Sequence, residues 1–399
     1  MIGNDSKWRC AALTMLVAAW PAGLVAQTDF TECLARLETA AREGGVQSST
    51  IETVFATVEP RERVITADRN QAEFIETFAD YLGRRVNERR VSVGRALFQE
   101  HRNLLDRLTR TYGIPGQYIV AFWGLETNYG GYLGDVSVFD SLSTLACDTR
   151  RSGYFTDEFV NALRVVDRGD VEPTAMIGSW AGAMGQTQFM PSNYLRFGVD
   201  GNADGRVDLW GDVADALASA ANFLRALDWI PELRWGREVH LPQGFDFALA
   251  GRDRRRPLAE WAAAGITDTN GAPLPALALP AAVVVPSGAD GPAFVVYENL
   301  DVIMRWNRSE SFALTVGHLA DRIAGGAALS RTPPQGERIA RSQIVVLQQL
   351  LEREGYEVGV ADGIFGPQSR SALRSLQSNR GWIADGYPSA EVLARLGIN

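Results

Sequence analysis

One carboxyl group stands out in this sequence because of the residues that precede it. The segment from Tyr118 to Leu125 is apolar on every side, so it should form a buried helix, and Glu126 follows directly. Burial disfavours a charged carboxylate, and so does the negative end of the helix dipole, so both effects predict a raised pKa for Glu126. A carboxyl group that keeps its proton near neutral pH suits a general acid, although a surface glutamate that begins a turn is the alternative.

A second segment, from Gly178 to Ser192, is dense in glycine and alanine, which let a backbone or a ligand approach closely. Ser179, Gln186 and Gln188 supply hydrogen-bonding groups there, and Trp180 supplies a flat apolar face. These residue types suit a sugar chain. Taken alone, however, the segment is better interpreted as tight helix packing around small residues.

The spacing of apolar residues predicts the elements that hold these segments. Over 29–233 apolar residues recur every three or four positions, including the run 74–82, so the pattern is helical. Over 235–297 proline and glycine become frequent, and the short apolar runs 281–285 and 294–297 are typical of strands. Helical spacing then returns. The sequence predicts a mainly α fold with a small β-containing subdomain.

A break in this pattern separates a small unit at the C-terminus. Residues 326–336 combine small side chains with paired prolines and no apolar period, which is typical of a linker. Residues 337–399 then carry the pattern of three short helices. The predicted division is a leader over 1–26, a large domain over 27–325, the linker, and this small domain.

The first residues have the pattern of a secretory signal peptide. Lys7 and Arg9 precede a short apolar run, and small residues up to Ala26 offer a cleavage site. The run is too short to span a bilayer, and no later segment is long and apolar enough, so no integral membrane segment is expected after cleavage. No cysteine follows the run in a lipid-attachment context. The sequence predicts an exported, soluble, periplasmic protein that is not a lipoprotein.

Charge and cysteine content narrow the partners and the compartment. A formal net charge of -9 argues against a nucleic-acid partner, because phosphate binding needs a basic surface. Cys10 falls in the leader, which leaves Cys33 and Cys147 in the mature chain. An even number of cysteines in an oxidising compartment predicts a disulfide between them, with two unrelated buried thiols as the alternative.

Several long motifs in order resemble those of one family, the lytic murein transglycosylases of the B type. The motifs are Trp123–Gly130, Gly178–Ser192, Val199–Trp210, Ala214–Phe223 and Asn299–Asn307. The resemblance implies a lysozyme-like helical catalytic domain with an extended groove. Such enzymes cleave the β-1,4 bond between N-acetylmuramic acid and N-acetylglucosamine without water and leave a 1,6-anhydro end. Glu126 matches their single catalytic acid, which acts first as an acid and then as a base, and no cofactor is required.

The resemblance also implies roles for other residues of the groove. Ser179 and Gln188 match residues that hydrogen-bond the sugar beside the scissile bond, and Asn307 matches a residue near the acid. Phe223 and Phe312 stand where a tyrosine is often found, so a hydroxyl is lost while an aromatic face remains for stacking. The full set of expected substrate-binding residues is Ser179, Met184, Gln188, Phe223, Trp306, Asn307 and Phe312.

The segment that begins at Asp200 resembles the first half of a calcium-binding EF-hand loop. Oxygen-bearing side chains alternate along it, but Gly211 stands where the closing glutamate is usual. Asp215, or else Asp212, could complete the shell. The sequence leaves two interpretations open, a structural calcium and a purely structural turn; the expected ligand set is Asp200, Asn202, Asp204, Arg206 and Asp215.

The C-terminal unit resembles a three-helix peptidoglycan-binding domain, on residues such as those of 347–350, 362–366 and 384–386. The resemblance implies that it tethers the catalytic domain to peptidoglycan glycan strands, its expected partner. A helical cap packed on the main domain is the alternative. Cell-wall synthesis enzymes or hydrolases are further expected partners. For the whole chain, two other functions stay open: an inactive cell-wall scaffold, and a muramidase that hydrolyses the same bond.

Overall fold

The structure is a computed structural model, and it describes residues 22–69, 74–336 and 338–398. Most of the predicted signal segment lies outside the described residues. The described helices, in chain order α1 to α17, are Ala22–Glu43, Ser48–Phe55, Glu62–Arg69, Phe78–Arg85, Glu88–Glu100, Arg102–Tyr112, Gly116–Thr127, Val138–Cys147, Ser152–Asp167, Pro191–Phe197, Val213–Ala226, Leu258–Ala263, Glu298–Trp306, Glu310–Ile323, Arg341–Arg353, Pro367–Asn379 and Ala390–Arg395.

The strands are short, and two short 3-10 helices, Pro173–Ala175 and Phe247–Leu249, lie among them. In chain order β1 to β9, the described strands are Phe74–Ile75, Val136–Ser137, Ile177–Gly178, Gly236–His240, Arg256–Pro257, Thr267–Asp268, Pro280–Val284, Ala293–Val296 and Ile339–Ala340. The predicted mainly α fold class is confirmed.

Helix α7 lies at the centre of the largest core. Helices α5, α6, α11 and α14 pack around it. Ile119, Val120 and Ala121, which point in three successive directions around the helix, are all fully buried. The prediction of a helix buried on every side is therefore confirmed, and its C-terminal end carries Glu126.

A second core lies between helices α1, α2, α8, α9 and α10. A disulfide joins Cys33 on α1 to Cys147 at the end of α8, with the two Cα atoms 5.7 Å apart. The pairing predicted from the sequence is therefore present. It ties the first described helix to the segment that follows the Glu126 region, and closing so long a loop restricts the unfolded chain.

Five antiparallel strands form one sheet in the order β5-β7-β8-β4-β6. Its inner side packs on a separate core, in which the buried indole of Trp261 donates to the carbonyl of Ala281 at 2.9 Å. This sheet is the predicted β-containing subdomain. Strands β7 and β8 each lie one residue earlier than their apolar runs indicated.

The helix predicted over 74–82 is wrong in its first residues. Phe74 and Ile75 form a strand that pairs with Ala340 and Ile339, and helix α4 begins only at Phe78. The side chain of Thr77 accepts the amide of Asp80 and so caps the helix. A partner strand far along the chain therefore overrides the helical spacing.

The C-terminal unit consists of α15, α16 and α17 around a small core, which confirms the three-helix prediction. The buried Gln348 side chain holds its glycine-rich loop: the side-chain amide donates to the carbonyl of Ile364, and the side-chain oxygen accepts the amide of Gly363. The glycine-rich loop of this unit is thus held by a side chain of the same unit.

The C-terminal unit and the predicted linker both pack on the rest of the chain. The Glu238 carboxylate accepts the amides of Ser330 and Arg331, and the Ser330 hydroxyl as well. Farther on, Asp385 accepts the amide of Ala289 at 2.8 Å. These contacts, together with the β1–β9 pairing, show that the C-terminal unit packs on the main domain. In the part of the chain that is described, no helix has the length and apolar character needed to cross a membrane.

Candidate active site

The chain reverses direction immediately after Glu126. Asn128, Tyr129 and Gly130 have φ angles of 52°, 62° and 77°, which are left-handed and end α7. The amides of the first two donate to the carbonyls of Gly124 and Trp123, as in a capped helix end. A side chain at Gly130 would place its Cβ 2.6 Å from the Gln186 side-chain oxygen, so this turn requires glycine.

Gln186 locks the end of α7 to the glycine-rich segment. Its side-chain oxygen accepts the indole N–H of Trp123 at 2.9 Å, and its backbone carbonyl accepts the hydroxyl of Thr127 at 2.8 Å. Its side-chain amide donates to the carbonyl of Trp210. These three polar groups are therefore used internally, which agrees with the packing interpretation of this segment.

The Glu126 side chain is half-buried and has one described side-chain partner. Its Oε1 accepts a hydrogen bond from Nε1 of Trp306 at 2.9 Å. Burial raises the pKa of Glu126 to about 7, while the hydrogen bond from Trp306 opposes that rise. The direction agrees with the prediction from the apolar run. Near neutral pH such a group is present both as an acid and as a carboxylate, so it can give and take one proton.

Trp306 is held by aromatic rings from three other elements. Its ring centre lies 4.5 Å from that of Phe122 on α7, 5.0 Å from that of Phe223 on α11, and 5.5 Å from that of Phe189. Trp306 itself is the last residue of α13. Four segments that are far apart in the sequence therefore meet beside Glu126.

The glycine-rich segment folds into a tight hairpin. Met184 and Phe189 exchange two backbone hydrogen bonds, and the Ser179 hydroxyl accepts the amide of Ala183 at 3.1 Å. Gln188 has a left-handed φ of 50°, and its side-chain amide donates to the carbonyl of Leu133. Ser179 and Gln188 are half-buried, so each keeps exposed surface for a ligand.

Two of the expected substrate-binding residues lie in the core. Met184 is fully buried because its paired backbone directs the side chain into the second core. Phe312 is 4% exposed and packs against Phe122, with ring centres 6.0 Å apart. This burial does not support the expected contact of either side chain with substrate. Phe223 is 9% exposed and packs with Phe197 and Trp306, so it supports the indole that binds Glu126.

Asn307 is exposed and follows Trp306 directly, so it lies at the edge of the same site. Its side-chain oxygen accepts the amide of Ser309 at 3.2 Å, which fixes the side chain at the start of α14. The side-chain amide remains available to donate. The structure therefore places Trp306 against Glu126, with Asn307 as the next residue of the chain.

Tyr81 is a residue of this site that the sequence analysis missed. It is half-buried on α4, and the Arg85 guanidinium lies 3.7 Å from its ring centre. Burial raises the pKa of Tyr81, Arg85 opposes the rise, and the negative charge of Glu126 adds to it. Tyr81 shares the apolar spacing of its helix, so the pattern indicated only a core position.

The two carboxylates close to Glu126 in sequence are engaged elsewhere. Asp140 is buried on α8, where it binds Arg61 at 2.7 Å and accepts the amide of Glu59. Asp135 is exposed and forms an ion pair with Arg63 at 3.1 Å. Both contacts agree with a structural role for these side chains.

In the loop that resembles an EF-hand, side chains bind the loop's own backbone. The Asp204 carboxylate accepts the amide of Arg206 at 3.0 Å, and the Asn202 amide donates to Asp212 at 2.8 Å. The Asp200 carboxylate accepts three amides, those of Ala203, Asp204 and Gly205. Asx turns of this kind stabilise a loop without a metal.

Asp215 is 1% exposed, and each of its oxygens accepts a backbone amide, that of Gly201 at 2.8 Å and that of Asp208 at 2.7 Å. This geometry does not support Asp215 as the ligand that completes a calcium shell. Among the described residues, no group of three or more histidine, cysteine, aspartate or glutamate side chains is arranged to hold a metal ion. A structural calcium at this loop stays a prediction.

Two models of known protein families match this chain. The model of the transglycosylase SLT domain matches residues 29–321. The chain belongs to the transglycosylase SLT domain family. A model of a peptidoglycan binding domain matches residues 340–396, in the C-terminal unit. The resemblance drawn from the sequence motifs is confirmed.

Individual members of the family are similar over most of the chain. The structure of SltB3 from Pseudomonas aeruginosa in complex with NAG-anhNAM-pentapeptide is 40% identical, with a TM-score of 0.89 over 92% of this chain and 99% of that chain. The Escherichia coli lytic transglycosylase Slt35 in complex with calcium is 26% identical, with a TM-score of 0.62 over 74% of this chain and 92% of that chain.

A curated relative matches over a shorter span. Membrane-bound lytic murein transglycosylase B of Escherichia coli (strain K12) is 31% identical over 240 residues, which is 59% of this chain. The match spans 64% of the length of that relative.

Proposed function

We propose that this SLT-family chain is a lytic transglycosylase that cleaves peptidoglycan between N-acetylmuramic acid and N-acetylglucosamine. The observation that supports the proposal most strongly is Glu126, a shielded carboxyl group whose pKa is raised to about 7. The family match and the peptidoglycan binding domain model supply the substrate class.

In the first step Glu126 acts as the acid. Its proton passes to the glycosidic oxygen, the bond between that oxygen and C1 of the muramyl residue breaks, and the electron pair leaves with the oxygen. The departing N-acetylglucosamine gains a hydroxyl, and C1 becomes electron-poor, with the substrate's own acetamido group available to stabilise it. The raised pKa supports this step, because a carboxyl group with an ordinary pKa would already be ionised at neutral pH.

In the second step Glu126, now a carboxylate, acts as the base. It takes the proton of the muramyl 6-hydroxyl, the freed oxygen pair attacks C1, and the 1,6-anhydro ring closes. Glu126 ends protonated, as it began, and no water is consumed. A retaining hydrolase would instead need a second carboxyl group about 5 Å away as the nucleophile. The engagement of Asp135 and Asp140 with arginines supports the reaction with one carboxyl group.

Binding of the glycan is assigned to the exposed edge of the site. We propose that Ser179, Gln188 and Asn307 hydrogen-bond the sugars on either side of the scissile bond, since each keeps accessible surface. The C-terminal unit would bind the same polymer. We also propose that the protein is exported to the periplasm, which agrees with the leader pattern and the disulfide.

The test is the mass of the products. Peptidoglycan sacculi are digested with the purified chain, and the soluble muropeptides are analysed by mass spectrometry. A transglycosylase releases anhydro-muramyl ends, each lighter by one water than a hydrolysed end. Hydrated ends alone would make the chain a muramidase, and the absence of soluble products would favour a scaffold that only binds the wall.

A further inference from the structure

We infer that Trp306 is a positioning residue for Glu126, whose indole N–H fixes one carboxyl oxygen and leaves the other to exchange the proton with the substrate. This inference rests on the proposed transglycosylase reaction and deepens it. Nothing in the catalytic steps themselves requires a second protein group at Oε1. The structure nevertheless places one there, at 2.9 Å.

The chemistry of the indole decides what Trp306 can do. Its Nε1–H is only a donor, so it cannot take the proton from Glu126 and cannot act as a second acid or base. While Oε1 accepts this hydrogen bond, the neutral acid favours its proton on Oε2, because the carbonyl oxygen of a carboxyl group is a better acceptor than its hydroxyl oxygen. The hydrogen bonds of the described residues leave Oε2 free. Trp306 therefore selects which oxygen faces the glycosidic bond.

The surroundings of Trp306 make this selection rigid. Its ring packs against those of Phe122, Phe189 and Phe223, which come from different elements. It is also the last residue of α13, where the amide of Asn307 closes the helix on the carbonyl of Ile303. A ring fixed in this way loses little further conformational entropy when it binds the carboxyl group. The Glu126 rotamer is thus set before the substrate arrives, as positional catalysis requires.

The same hydrogen bond favours the first step over the second, because it stabilises the carboxylate that remains after Glu126 has given up its proton. A hydrogen bond to a charged acceptor is stronger than one to a neutral acceptor, so the indole stabilises the carboxylate more than the acid. In agreement, the contact with Trp306 lowers the pKa of Glu126 against the larger effect of burial. Removing the donor should therefore leave an acid that is harder to ionise and less well oriented.

Trp306→Phe tests this, because it removes the donor and keeps an aromatic ring. Activity on soluble glycan strands is followed from pH 5 to pH 9 as kcat/KM. We expect the fall of kcat/KM at alkaline pH to move upward by about one pH unit, because a hydrogen bond to a charged group has that order of strength. We expect kcat at neutral pH to fall on the order of tenfold to a hundredfold.

Trp261→Phe is the matched control, because it also removes a buried indole hydrogen bond of 2.9 Å, in the core beneath the sheet. It should lower stability and leave the pH profile unchanged. If Trp306→Phe fails to fold, a benzothienyl-alanine at position 306, which replaces the N–H by sulfur in the same shape, gives the same measurement. A Trp306 variant whose pH profile matches that of the unaltered chain overturns the inference. Anhydro products from the unaltered chain would still uphold the proposed function.

Discussion

The end of α7 and the loop 199–215 each hold a shielded carboxyl group, and the two have opposite uses. Glu126 accepts one side-chain hydrogen bond, from Trp306, and keeps an oxygen free. Asp215 is more completely buried, but each of its oxygens accepts a backbone amide. Burial raises the pKa of both groups, while the hydrogen bonds oppose the rise.

The difference shows that burial alone does not make a catalytic carboxyl group. A carboxylate can accept several hydrogen bonds, and each bond from a backbone amide fixes the carboxylate to the local fold. Asp215 holds the loop together, and both of its oxygens already accept a backbone amide. A ligand would have to share one of these oxygens with an amide. Glu126 stays chemically available because the amides that follow it, those of Asn128 and Tyr129, donate to the carbonyls of Gly124 and Trp123 and not to its carboxyl group. Since the pKa is raised in both groups, it is the free oxygen that distinguishes the catalytic group from the structural one.

The largest expected effect follows from Glu126→Gln. Glutamine keeps the size of the side chain and accepts from Trp306, but it cannot give a proton, so turnover should fall on the order of 10³- to 10⁴-fold. Release of anhydro muropeptides from sacculi measures the loss. Binding to sacculi in a pull-down should be retained. Substantial residual turnover would show that another group supplies the proton.

Asp215→Asn should show the reverse pattern. Asparagine has one oxygen to offer, so one of the amides of Gly201 and Asp208 loses its partner, at a cost of about 1–3 kcal/mol. Urea denaturation should show a lower free energy of unfolding, while the protein that remains folded keeps most of its kcat. The comparison breaks down if this variant keeps its stability but loses turnover.

A smaller effect is expected in the pH dependence of stability at Glu126. The folded state raises the pKa of this group from 4.5 to about 7, so the folded protein binds the proton more tightly than the unfolded chain. The stability that this adds is fully present below pH 4.5 and is lost as the pH rises through 7. Glu126→Gln does not titrate, so its stability relative to the unaltered chain should rise across that window, by up to about 3 kcal/mol. Urea denaturation at pH 4.5 and at pH 7 measures the difference in free energy of unfolding between the variant and the unaltered chain. A difference that is the same at both pH values would refute this prediction.

The smallest effect concerns calcium at the loop 199–215. The loop already satisfies its amides with its own side chains, as with Asp200 and Asp204. We therefore expect the melting temperature to differ by no more than about 2 °C between millimolar calcium and a chelator. A large calcium-dependent rise would mean that the side chains of this loop rearrange into a ligand shell.

The sequence predicted what depends on neighbouring residues and one distant contact, the disulfide between Cys33 and Cys147, but it missed other contacts between distant residues. The apolar run before Glu126 is local, so the buried helix and the direction of the pKa shift could be predicted. The hydrogen bond from Trp306 joins residues 180 positions apart, and the strand at Phe74 pairs with a segment near the C-terminus. The spacing of apolar residues along the chain does not indicate either contact.

The family resemblance supplied positions but not orientations. Met184 stands in one of the motifs, and Phe312 stands where a tyrosine is often found. Backbone pairing at the first and helix packing at the second nevertheless direct both side chains into cores. In the same way, counting oxygens identified Asp215 as a ligand. That count could not show that the amides of Gly201 and Asp208 already donate to those oxygens.

The most direct test of the central claim is an NMR titration of the Glu126 carboxyl carbon. Side-chain labelled protein is titrated from pH 3 to pH 9, and Glu126→Gln assigns the resonance by its absence. We predict a single transition with a pKa of about 7. A transition near 4.5, the ordinary value for glutamate, would contradict the proposal that this one carboxyl group serves first as the acid and then as the base.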